Sequence, residues 1–356
     1  DDGSGATARN LTIITDSGAN DGDVVLPATI GSADGVDNEE IGALQVTTDT
    51  GTITLGDSGA TYHTRGITYD STVILTGDTV QNTNWNQFVA TSATITIDAE
   101  GNWDLAIDTT DVGAGDIHLN ILDDSGGNFV NKLTLTSDTA DLYLHNNISI
   151  DHDGTEAADM VFSGNNVIVA KTLKIDTEQG DTDGQTGGAV NLASSNIFAN
   201  AAAGFGLEID TSNADAGETA GAVTLGVVDD QGGFMAFLGS LVVNADGETD
   251  GVVTLNGDVG TDGGEITMDG LIQLPASRTL DSNADAAGAA GTIDLAVTSG
   301  DVSATAAGAD LTLNAIGAGA NAGGAVALGS FSNTGMEYVR DLSVDASSGS
   351  GTAGDL

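Results

Sequence analysis

A five-residue pattern, G-x-[VI]-x-L, begins at Gly22, Gly51, Gly115, Gly188, Gly221, Gly251, Gly291 and Gly324. The intervals are 29, 64, 73, 33, 30, 40 and 33 residues, and the two long ones are near double the short ones. A second pattern, L-x-[VIL], begins at Leu11, Leu44, Leu105, Leu133, Leu173, Leu207, Leu241, Leu311 and Leu342, with the same rhythm. Two patterns sharing one period of 28 to 40 residues mark a repeat. Both alternate apolar with small or polar residues at a period of two, which suits a half-buried strand and not a helix. The segments between them, such as Leu44 to Gly51 and Leu173 to Gly188, are filled with the turn formers Asp, Gly, Asn, Ser and Thr. Short strands joined by corners of variable length predict an all-β chain. The expected architecture is a right-handed parallel β-solenoid (β-helix) of about 10–11 turns of 28–40 residues. Its expected interior is Val24, Leu26, Ile53, Leu55, Ile117, Leu119, Val190, Leu192, Val223, Leu225, Val253, Leu255, Ile293, Leu295, Val326 and Leu328.

The rhythm runs along residues 1–356 without a linker, so a single continuous domain is expected. It loosens over 56–104, where Tyr62, Tyr69, Trp85, Phe88 and Trp103 gather. That stretch reads as repeat turns carrying an aromatic-containing insertion. Its aromatics either pack beneath a longer loop or form an exposed platform for sugars.

Charge narrows the partners. The chain carries 53 acidic against 7 basic residues, net −46. Such a surface repels nucleic acid and anionic lipid, and the few Lys and Arg are too scattered for a phosphate-binding patch. There is no cysteine, hence no disulfide and no thiolate metal site. No apolar run is long enough for a membrane span, so no membrane insertion is expected. Ordered alternation and 40% hydrophobic content argue against disorder. The acids then need screening by salt or neutralisation by divalent cations.

Gly221 to Gly226 with Leu238-Gly239-Ser240-Leu241-Val242-Val243-Asn244-Ala245-Asp246-Gly247, and Gly324 to Gly329 with Leu342-Ser343-Val344-Asp345-Ala346, carry a resemblance. They resemble the repeats of large secreted bacterial surface proteins, adhesin-like chains with a β-helix of the filamentous-haemagglutinin kind. The resemblance implies an extracellular, structural or adhesive role at the surface of a prokaryote, with cell-surface glycans as candidate partners. It transfers no functional residue.

Calcium is the candidate ligand. Acids and amides crowd the corners at Asp21 and Asp23, Asp151 and Asp153, Asp181 and Asp183, and Asp246, Glu248 and Asp250. A hard cation wants six to eight oxygens, which such turns can supply. The last group opens like an EF-hand loop but has Gly257 where the twelfth-position acid belongs, and the β-roll calcium nonapeptide is missing. Asp and Gly acting only as turn formers on a salt-adapted surface is the competing reading. A polysaccharide-binding or polysaccharide-degrading β-helix is the alternative function. Carboxylate pairs arise by chance among so many acids, however, and neither G-x-S-x-G nor a P-loop is present, so a non-enzyme is expected. His63, His118, His145 and His152 show no metal-ligand spacing. The sequence also breaks off as a strand pattern starts, so head-to-tail self-association is expected, joining residues near Leu11-Thr12-Ile13 to Gly354-Asp355-Leu356.

Overall fold

The computed structural model describes residues 9–15, 22–31, 41–56, 58–83, 86–97, 103–110, 114–122, 130–150, 159–178, 186–200, 204–214, 217–230, 236–296, 301–305, 308–332 and 338–348. Among them there are 32 strands and no helix. The chain divides into two compact units, 1–165 and 166–356.

In the first unit, strands pair in parallel along rows. One runs Leu11, Leu44, Ile67, Phe88, Ile117, Leu142; another runs Val24, Ile53, Val73, Ile95. In the second unit, Val190, Val223, Val253, Ile272, Val302 and Phe331 form one row, and Leu207, Leu241, Ile266, Ile293 and Val326 another. Each row repeats an apolar residue, inward except at the row ends Leu11 and Phe331, and alternate residues along the strands are buried, as in Ile53–Leu55 and Val252–Leu255. Of the expected interior residues, all but Leu328 are buried; Leu328 is half-buried.

The expected parallel β-solenoid is corrected. Ten strands close into a parallel β-barrel, and the remaining strands lie outside it. The physical reason is strand length. Ala60–Tyr69 has 10 residues; its first half pairs with Thr79–Thr83 and its second with Ile41–Thr47 and Phe88–Ile97. Ala189–Ala199 in the second unit behaves alike, pairing through Val190 to Leu192 and again, after a register shift, through Asn196 and Ile197. A strand that serves two rows joins them, so the faces do not run as separate ladders.

Two further expectations change. Steps between paired rungs are as short as Ile67 to Phe88 or Ile53 to Val73, below the 28-residue minimum read from the motifs. The two motifs share rows: Leu44 of an L-x-V lies in one row with Ile117 of a G-x-I-x-L, and Leu241 with Ile293. Pairing needs only an apolar residue at every second position, which both motifs supply. The described part of 56–104 is itself strand, with Tyr62, Tyr69 and Phe88 fully buried.

The glycine of the G-x-V-x-L motif has a packing reason. A Cβ on Gly221 would run into the carbonyl of Gly188, and one on Gly251 into that of Gly221. The backbones at this point of successive rungs approach too closely for any side chain.

Candidate functional site

The corners are where chemistry could gather, and one construction recurs there. At six corners the residue closing the strand is Asp or Asn, and its Oδ1 accepts the N–H two residues on: Asp108 from Thr110, Asp176 from Glu178, Asp210 from Ser212, Asn244 from Asp246, Asp281 from Asn283, Asp345 from Ser347. These are Asx-turns, which bend the chain off the strand. The residue between turns inward. Thr109, Thr177, Thr211 and Ser282 each donate their hydroxyl to the carbonyl of a distant glycine, Gly115, Gly188, Gly221 and Gly291, at 2.6 to 2.8 Å. Each glycine N–H returns a bond to the same residue's carbonyl, at 2.8 to 3.4 Å. A reciprocal pair thus closes the neck of an excursion of 6 to 11 residues. At Ala245 and Ala315 the hydroxyl is missing and only the bonds from the N–H groups of Gly251 and Gly324 remain.

The acids singled out for calcium sit on or beside these necks where they are described. Asp23 accepts from the Thr52 N–H at 2.9 Å and the Thr52 hydroxyl at 3.0 Å, and these bonds hold its carboxyl below the ordinary carboxylate value. Asp246 donates its N–H to Asn244, and its carbonyl accepts from Asn213 at 2.9 Å. Glu248 accepts the Gly217 N–H. Asp250 precedes Gly251, which closes the neck on Ala245 at 2.9 Å. Asp21, Asp151, Asp153, Asp181 and Asp183 lie outside the described residues. Among the described residues, no group of three or more His, Asp or Glu is placed to hold a metal ion.

Two other charged arrangements were not anticipated. Lys174 bridges Asp176 at 2.8 Å and Asp210 at 2.6 Å, with Glu208 at 3.8 Å. Burial opposes its charge, but the bonds and charges of Asp176 and Asp210 outweigh that and raise it above the ordinary lysine value. Asp262 lies against Asp285; burial, their shared hydrogen bond and their like charge raise its carboxyl.

The structure also assembles a group that sequence reasoning dismissed. His118 stacks on Tyr143, with ring centroids 4.4 Å apart and planes 8° from parallel, and its Nδ1 lies 3.2 Å from Nε2 of His145. The pairing of Ile117 with Leu142 brings them together. A 25-residue rung step with no leading glycine on the second strand carried no motif to announce it.

In comparisons with protein-family models, curated proteins and solved structures, no match to this chain was found.

Proposed function

We propose that this chain is a non-catalytic structural or adhesive element of a prokaryotic cell-surface fibre, extracellular, associating head to tail, with acidic corners that bind Ca2+. The observation supporting it is a pair of open edges. Among the described residues, Val339–Asp345 pairs along its length only with Ala309–Asn314, and it leaves Leu342 43% exposed beside exposed Phe331 and Tyr338. Leu11–Ile14 pairs only with Ile41–Thr47 and leaves Ile14 64% exposed. An unpaired parallel strand with apolar side chains recruits another strand, and a second copy of this chain offers one of the same register. The acids fit the same role: their repulsion keeps copies soluble until cations screen or bridge them.

Negative-stain electron microscopy and sedimentation, with and without millimolar Ca2+, test the reading. Filaments or an oligomer ladder are expected with the ion, and Leu342→Lys combined with Ile14→Lys should return the chain to monomer. A monomer under all ionic conditions would overturn it.

A further inference from the structure

We infer that His118 and His145 form a two-imidazole site for a borderline transition-metal ion, Zn2+ or Cu2+, apart from the acidic corners and independent of the fibre reading.

The geometry begins with register. Ile117–Leu122 and Asp141–Leu144 pair in parallel with His118 opposite Tyr143, and the His145 N–H donates to the Leu119 carbonyl at 2.8 Å. Buried Leu119, Leu142 and Leu144 fix both backbones. Tyr143 lies flat against His118, and the His145 ring is 19° from parallel with His118. Both rings therefore stand side by side on one face of two paired strands, within a small rotation of a shared ion.

The facing nitrogens, His118 Nδ1 and His145 Nε2, are 3.2 Å apart. With the ring centroids 5.5 Å apart, these nitrogens point straight at each other; to share an ion at zinc–imidazole distances of about 2.0–2.1 Å, the rings turn so that their lone pairs converge to one side of the N···N line. Empty, the pair holds one proton between the two nitrogens as an N–H···N bond. To take a metal, that proton moves through water to the outer nitrogen of the same ring, leaving both inner lone pairs free. No net proton is lost if both rings start neutral; a pair carrying one extra proton releases it.

The groups facing the two imidazoles are Asp116, Asp141 and Tyr143. The oxygens of Asp116 are engaged, one by the Asp141 N–H at 3.1 Å and the other by Gln87 at 3.3 Å. Asp116 supplies negative potential beside a dication without taking a ligand position. Water would complete the coordination, because His118 and His145 are the two ligating imidazoles of this face. Imidazole nitrogen selects Zn2+ and Cu2+ over Ca2+, which prefers oxygen, so the acids elsewhere do not compete for the same ion on equal terms.

Titration of the full chain with Zn2+ in millimolar Ca2+, followed by calorimetry, reads the site. One Zn2+ per chain is expected, weakened at least about tenfold by His118→Gln or His145→Gln and unchanged by His63→Gln. Equal zinc binding in all four proteins would assign the ion to the acidic surface and overturn the inference, as would no binding at all. A measurement on the unmutated chain guards against misfolded variants. The electron paramagnetic resonance spectrum of one equivalent of Cu2+ should carry hyperfine splitting from two nitrogens, and an all-oxygen spectrum would refute the site.

Discussion

The two units solve one problem with different materials. Residues 1–165 set aromatics among the aliphatic rows of their interior: Tyr69 and Phe88 meet edge to face with centroids 6.0 Å apart, Tyr62 donates its hydroxyl to the Pro27 carbonyl, and Tyr69 donates to Gln81. Residues 166–356 rely on aliphatic rows and on glycines that let backbones touch, Gly188 under Gly221 under Gly251. Large side chains fill interior volume, and the tyrosines need partners for their hydroxyls; glycine stacks need nothing but space. The first unit should therefore suffer most from losing volume, and the second from gaining it.

Phe88→Ala tests the first half of that contrast and carries the largest expected effect, about 3–5 kcal/mol of stability by chemical denaturation. A loss under about 1 kcal/mol would mean that the aromatic interior is not tightly packed. Next comes Gly221→Ala, which must push apart two backbones and should cost about 1–3 kcal/mol or more. Its control is Gly22→Ala, at a motif glycine with open space around its Cα, expected within about 0.5 kcal/mol of the parent. Equal effects at the two glycines would show that close backbone approach is not what the Gly221 position requires.

The necks sharpen the comparison within the second unit. Thr211→Val removes the hydroxyl that Gly221 accepts and should cost about 1 kcal/mol, whereas Ala245→Ser supplies the missing hydroxyl at Gly251 and should gain about 0.5–1 kcal/mol. Thermal melts of both, compared with the parent, decide it; a Ser at 245 that destabilises would show that this neck is too tight for an oxygen. The smallest effect belongs to Asp262→Asn. Because the folded state raises the Asp262 carboxyl, its protonated form is favoured there, and its contribution is lost as pH rises above the ordinary carboxylate value of about 3.9. The amide should therefore stabilise by a few tenths of a kcal/mol at pH 7, the side chain being largely solvated, and by nothing measurable at pH 3.

Much of this was readable from residues alone. Alternation at period two named the buried positions from Val24 to Val326, because a strand face has few other ways to bury Val and Leu. What failed was counting. Rungs at Val73, Ile95 and Leu142 lack a leading glycine, so the motif spacing passed over them and stretched the apparent period. With the period went the neighbours, and His118 and His145 could not be seen as partners. The closed ten-strand arrangement was equally hidden, since nothing in Ala60–Tyr69 or Ala189–Ala199 announces that one strand will pair in two rows. At the corners the sequence reading singled out neither the Asx residues, Asp108, Asp176, Asp210, Asn244, Asp281 and Asp345, nor the threonine beside them, whose role depends on a glycine up to 11 residues away.

The reciprocal threonine–glycine neck has an evolutionary consequence. Because it ties the chain before and after an excursion, what lies between can lengthen without pulling on the strands; doubling a flexible loop costs only about 0.6 kcal/mol in closure entropy. Thr109 and Gly115 close such a loop six residues apart, Thr177 and Gly188 eleven. Insertions and deletions at these sites are thus nearly silent for folding, and a lineage could vary its outer loops, and whatever they meet, faster than its interior. For an engineer, the same sites are places to graft foreign peptides.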